Sequence, residues 1–279
     1  MIIAKHFVLL CLCAIACAQE EKIEKKNEPT KTKAKKADTK AAPAIADVTL
    51  TVTGTVFDDA DGDGVRDEGE KGLAGVWVSN GIDVKKTGDD GTYKLGLPLR
   101  KTRTAFVVVP GDRQIPKRFH LRVDAGEKKD QTFDCGLALR PVPAGKYDPR
   151  FRFVQVTDVH ASTPQDARDV GDDVEEINRL PDPIEFVVAT GDLTNRATVA
   201  EFENYIAGMN VSRRPVIHII GNHDVDPATA PARTLTYERY CGPPYYAFEV
   251  GHVHFLCLDS INFTAQQKEW MKWHLGTID

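Results

Sequence analysis

The stretch that most constrains this chain is Pro215 to Asp224, an apolar run ending in Gly221-Asn222-His223-Asp224. Val216, Ile217, Ile219 and Ile220 have the composition of a buried strand, and Gly221 releases the backbone into a turn that presents polar side chains. Two similar units precede it: Phe151 to Val156 runs into Thr157-Asp158-Val159-His160, and Phe186 to Thr190 runs into Gly191-Asp192. In an open α/β sheet the carboxyl ends of the strands form the crevice where ligands bind. Convergence of three such ends would gather Asp158, His160, Asp192, Asn222 and His223.

That set has the chemistry of metal ligands. Asp158 and His160 stand two residues apart, so on an extended exit their side chains leave the same face and can hold one ion. The carboxylate of Asp192 can bridge two ions, and the Asn222 amide offers a neutral oxygen to the second. Mixed nitrogen and oxygen donors suit Zn, Mn or Fe better than an all-oxygen ion. Each fragment alone reads as a capped strand end; the three in this order are far more specific.

With these blocks in view, residues 150–279 resemble the calcineurin-like metallophosphoesterases, whose ordered motifs are Asp-x-His, Gly-Asp and Gly-Asn-His-Asp or Glu. The resemblance implies an α/β sandwich and two divalent or trivalent ions. It assigns Asp158, His160 and Asp192 to the first ion, with Asp192 bridging to a second that also takes Asn222. It makes His223 a catalytic group facing the substrate phosphate, with Asp224 steadying it. The family also uses later histidines, and Gly251-His252-Val253-His254 spells its Gly-His-x-His motif. That match is expected to be accidental: Tyr245 to Val250 and Val253 to Asp259 are both β-rich, so Gly251-His252 reads as a hairpin turn. The late histidines are then missing, and the expectation is the front part of a longer, incomplete catalytic domain, weak as a catalyst by itself.

The 279 residues, 42% hydrophobic, allow two domains. A net charge of −5 gives no basic field for nucleic acid. Lys5 and His6 precede an apolar run from Phe7 to Ala18, too short to span a bilayer and suited to a signal peptide over 1–18. Ala16-Cys17-Ala18 fits cleavage before Gln19; lipid attachment at Cys17, and through it to a membrane, is the alternative. Export is expected either way. Residues 19–46 are a charged, low-complexity spacer with too little apolar surface to fold.

Residues 47–140 carry short strands separated by Gly, Asp and Pro clusters, the pattern of an all-β, immunoglobulin-like sandwich. Within them Asp59, Asp61, Asp63, Asp67 and Glu70 occupy positions 1, 3, 5, 9 and 12 of a twelve-residue calcium loop, with Gly64 at 6 and the Val65 carbonyl at 7. Calcium is therefore a second expected ion. Gly54-Thr55-Val56, the acidic loop, Gly72 to Val76, Val78 to Gly81 and Thr87 to Tyr93 resemble bacterial surface modules of the serine-aspartate repeat B type. They are equally similar to the small domain that precedes some exported bacterial metallophosphoesterases, which implies a spacer or docking module. Pro141 to Asp148, with two prolines and Gly145, reads as a linker over 141–149.

Helices are predicted over Gln165 to Leu180, N-capped by Thr163, over Thr198 to Met209, and over Thr264 to Leu275. Trp270, Trp273 and Leu275 are assigned to the core and His274 to the surface. Cys135 and Cys257 read as buried thiols, with a Cys135 to Cys241 bridge as the alternative. The composite expectation is an exported phosphoesterase acting on phosphomonoesters or phosphodiesters of small molecules. Its rival is an inactive surface scaffold docked through a calcium-bearing module.

Overall fold

The computed structural model describes residues 7–11, 47–141, 150–181, 183–226 and 233–276. Cleavage after Ala18, lipidation of Cys17, the 19–46 spacer and nearly all of the linker concern residues outside these. The elements, in chain order, are β1 (Phe7–Cys11), β2 (Thr49–Phe57), β3 (Trp77–Ser79), β4 (Val84–Lys86), β5 (Thr92–Pro98), β6 (Thr104–Val107), β7 (His120–Arg122), β8 (Gln131–Thr132) and β9 (Cys135–Gly136). There follow β10 (Phe153–Val156), α1 (Pro164–Asn178), β11 (Phe186–Thr190), α2 (Val199–Met209), β12 (Val216–Ile219), α3 (Leu235–Tyr240), β13 (Tyr246–Val250), β14 (Val253–Cys257) and α4 (Ala265–Leu275).

The first half is two sheets. β2 is the hub of one, antiparallel to β5 from Thr49 opposite Pro98 to Thr55 opposite Thr92, and parallel to β8 and β9. The other runs β4-β3-β6-β7. Alternation sends Leu50 and Val52 of β2, and Tyr93, Leu95 and Leu97 of β5, into one core.

The second half has three layers. Strands β10, β11 and β12 lie side by side and parallel, in chain order. All five residues of β11 are buried, as expected of a parallel strand covered on both faces. One face packs on α1 and α2 through Ala189, Val174, Phe202 and Tyr205. The other packs on the β13-β14 hairpin, where Phe186 meets Phe248 edge-on at 5.5 Å and Phe248 stacks on Phe255 at 4.7 Å. The helices begin where their caps stand: Thr163 with Asp166 and Thr198 with Glu201 form capping boxes, and Thr264 accepts from the Gln267 amide.

The two halves share one hydrophobic core, running from Leu50 and Phe106 to Phe248 and Trp270. The first half is therefore not a loosely attached spacer. The amides of Glu249 and Gly251 donate to the carbonyls of Val109 and Gly111, both at 2.8 Å, so the β13 edge is covered by the first half. A Cβ on Gly111 would fall 2.0 Å from the Gly251 oxygen, so only glycine permits this approach. Trp270 Nε1 donates to Ser79 Oγ, and Arg103 forms a buried ion pair with Glu238. On the far side of the hairpin β1 pairs with β14 in parallel, Phe7 opposite Val253.

Two expectations are corrected, and one helix was not foreseen. Leu235–Tyr240 is a helix that the sequence pattern did not reveal. Trp273 and Leu275 are 45% and 37% exposed, Trp273 resting edge-on against Trp77, while His274 is fully buried. The reason is the i, i+4 spacing of Trp270 and His274, which sets those two on the inward stripe of α4 and turns Trp273 outward. His274 Nε2 lies 2.9 Å from His254 Nε2, so the Gly-His-x-His stretch is a hairpin and its second histidine is a core group. Cys135, Cys241 and Cys257 are buried and unbridged.

Burial also sets a pH dependence. It pushes His218 and His120 down to about 4, aided for His218 by repulsion from His120 when both are protonated and for His120 by Arg118, and pushes His274 down to about 3, aided by His254 and opposed by Glu249. These rings stay neutral in the fold, whereas in the unfolded chain they protonate below about pH 6.5. Their contribution is thus complete above about 6.5 and is lost as pH falls toward the folded values. Urea unfolding should show a midpoint that falls between pH 7 and pH 4.5, and a His218→Gln variant should show a shallower fall.

Candidate metal centre

The site is assembled by backbone bonds between loops that follow three adjacent parallel strands. Asp158 N donates to Gly191 O at 3.2 Å, His160 N to Asp192 O at 2.9 Å, and Ala161 N to Leu193 O at 3.0 Å, zipping the first loop to the second. The second is tied to the third by Asp224, whose fully buried carboxylate accepts from Gly221 N, Leu193 N, Thr194 N and Thr194 Oγ1 at 2.9 to 3.1 Å. Burial raises the Asp224 pKa, and these donors pull against that rise.

Asp158, His160 and Asp192 have φ of 54°, 47° and 50°, three of the four positive-φ non-glycine residues described. The exit after β10 is therefore not the extended one that the Asp-x-His spacing suggested. A left-handed backbone costs an L-residue roughly 1–2 kcal/mol, and such strain clusters at functional sites.

One ligand atom from each of His160, Asp192 and His223 lies within 4.8 Å of the others. The two imidazoles meet edge-on at 4.7 Å. Asp192 is 6% exposed, and one of its oxygens, Oδ1, accepts from His223 N at 3.1 Å. Asp158 is exposed and stands outside that set, its Oδ2 accepting from Thr157 Oγ1. Asn222 is exposed and opens the short 3-10 turn Asn222–Asp224. His160 Nδ1 is buried and has no hydrogen-bond partner. An imidazole with an unpartnered buried nitrogen, and with a carboxylate and a second imidazole within ligand distance of its ring, fits a transition-metal ion.

His223 is held differently from the implied arrangement. Its Nδ1 donates to Asn195 O at 2.8 Å, since a carbonyl can only accept, and Nε2 is the nitrogen left for the centre. Asp224 steadies the loop and not the ring. Asn195 was not foreseen; its place two residues past Gly191-Asp192-Leu193 was the only sequence signal for it.

The acidic loop of the first half forms the second group: one oxygen each of Asp59, Asp61 and Asp63 lies within 4.8 Å of the others. Asp59 is 4% exposed and accepts from Gly62 N and Gly64 N. Glu70 uses its two oxygens on Ala60 N and Asp67 N, and Val65 is exposed.

Comparison with known proteins agrees with this order of modules. Residues 151–273 match the family described as calcineurin-like phosphoesterase. Residues 60–135 match the N terminal of calcineurin-like phosphoesterase. No curated protein matches the chain. Among solved structures, two variants of the shaft pilin SpaA from Lactobacillus rhamnosus GG match at 14% identity and a TM-score of 0.22. These matches cover 39% of this chain and 54% and 53% of the pilin chains, and a superposition that slight carries no argument.

Gly221 is the tightest point of the site: a Cβ there would fall 2.1 Å from Asp192 N and 2.3 Å from Asp192 Oδ1. Gly221→Ala should displace Asp192 and cost about 1–3 kcal/mol in urea unfolding. Metal retained after gel filtration should drop at the same time.

Proposed function

We propose that this chain, whose two halves match the calcineurin-like phosphoesterase domain and its N-terminal companion, hydrolyses phosphate esters of small molecules, monoesters or diesters, at a two-ion centre. The observation that carries the reading is the convergence of His160, Asp192 and His223 at the ends of adjacent parallel strands, with His160 Nδ1 open. Asp158, His160 and Asp192 would hold the first ion, and Asp192 and Asn222 the second. Such ions, Mn, Zn or Fe, lower the pKa of water and draw charge from a phosphoryl oxygen.

The chain's own residues supply position and protons. Asp192 Oδ1 accepts the His223 amide, which fixes the carboxylate plane and leaves Oδ2 directed by it. His223 Nδ1–H donates to Asn195 O, which leaves Nε2 as the ring nitrogen available to the centre and to a phosphate bound there. Protonated, Nε2–H would stabilise developing charge or protonate the leaving oxygen; neutral, it would serve as a ligand. Export, by an ordinary or a lipidated leader, accompanies this reading, as does calcium in the Asp59 to Glu70 loop.

Two variants test it. Asp192→Asn should lower bound transition metal and reduce aryl phosphate hydrolysis by at least about a hundredfold; unchanged metal content and rate would overturn the reading. His223→Gln should keep the metal and lose rate if Nε2 faces substrate, and lose both if it is a ligand. For the acidic loop, calcium should raise the melting temperature of the protein and leave that of an Asp61→Asn, Asp63→Asn double variant unchanged.

A further inference from the structure

We propose that the cleft between the two halves binds a small phosphate-bearing anion, at a site separate from the metal centre and independent of any ion held there. The cleft encloses about 320 Å³ and draws its walls from both halves. Arg100 and Lys101 come from the turn after β5, Arg233 and Glu238 from the start of α3, and Asp259 follows β14. Its volume is at the lower end of the range for small-molecule pockets and exceeds what a bare phosphate fills.

The charges decide the class of ligand. Both acids in the cleft are already committed. Glu238 takes Arg103 Nε at 2.9 Å on one oxygen, and Arg103 Nη2 at 2.5 Å and Thr234 Oγ1 at 2.6 Å on the other. Asp259 accepts from Ile261 N, Asn262 N and Asn262 Nδ2. Of the cations, Arg100 pairs with Asp47, but both side chains are largely exposed and such a pair is weak. Lys101 and Arg233 are exposed and have no ion-pair partner among the described residues. Arg100, Lys101, Arg103 and Arg233 stand against Glu238, Asp259 and the Asp47 beside Arg100, so the cleft carries one more positive than negative group although the chain as a whole is acidic. Phosphate between Lys101 and Arg233 would make charge-assisted hydrogen bonds to each half. An attached polar body would occupy the rest of the cleft.

Arg233 also connects the cleft to the loop after the metal centre. Its carbonyl accepts from Asp226 N at 3.0 Å, two residues beyond Asp224.

The test uses the full chain stripped of metal by a chelator, titrated calorimetrically with glucose 6-phosphate, inorganic phosphate and glucose. Tyr245 lines the cleft and lies 5.2 Å from Trp270, so indole fluorescence gives a second readout. Glucose 6-phosphate should bind saturably, and glucose should not bind. The Lys101→Glu, Arg233→Glu double variant should weaken binding by about tenfold or more with an unchanged melting temperature, since both side chains are exposed. Binding of inorganic phosphate that the same variant weakens would also support the site. Binding that needs the metal, that survives the double variant, or that is absent from the stripped protein would overturn it. The phosphoesterase reading is scored separately, by the metal content of Asp192→Asn.

Discussion

The site depends on one carboxylate that is expected never to touch a substrate. Asp224 is wholly buried and accepts four hydrogen bonds from two loops, three of them from main-chain amides. A buried carboxylate is costly unless its lone pairs are filled, and buried amides are costly unless they find an acceptor, so each need answers the other. The consequence is positional: Gly221 and Leu193 are fixed relative to each other, and Asp192 and Asn222 are their chain neighbours. A polar knot under the ligand loops leaves the side chains above it free to face outward.

Beneath that knot lies a core that ignores the boundary between the halves. Phe106 of the first half meets Tyr246 and Trp270 of the second at 6.4 and 6.2 Å, and the β13 edge is hydrogen-bonded to Val109 and Gly111. An N-terminal module joined this way supports the hairpin on which the parallel sheet rests, and it forms one wall of the cleft. The other hairpin edge is covered by Phe7–Cys11. Removal of that segment as part of a leader would bare five residues of β14 main chain, an edge that invites another strand.

Where one residue pattern determined one outcome, the sequence was legible. Thr163, Thr198 and Thr264 mark helix starts because a hydroxyl oxygen followed three residues on by an amide without a helical partner has a single local use. The strand runs ending at Val156, Thr190 and Ile219 were readable because each is short, rich in β-branched and aromatic residues, and followed closely by a polar or glycine turn. The hairpin at Gly251 was readable despite its histidines, since two β-rich runs with a glycine between them outweigh a four-residue motif. Tertiary partners were not legible. His274 is buried because His254 and Trp270 wait for it, and Trp273 is exposed because Trp77 offers only an edge. The six-residue α3 has too few turns to show a period. Asn195 acts through its carbonyl, which no side-chain pattern encodes.

Strain gives an argument for function that stands apart from any motif. Glycine adopts a left-handed backbone at no steric cost, and Gly191, beside Asp192, does so with φ of 90°. Asp158, His160 and Asp192 adopt it too, each at an energetic disadvantage, in loops whose main-chain bonds hold them there. If those positions served only to turn the chain, glycine would do so with less strain. A side chain kept there is a reason to look for a role, and the two that are half-buried or buried, an imidazole with an open nitrogen and a carboxylate, stand beside a second imidazole. Backbone geometry and donor chemistry thus single out the same place by independent routes, and a site shaped to hold an ion satisfies both.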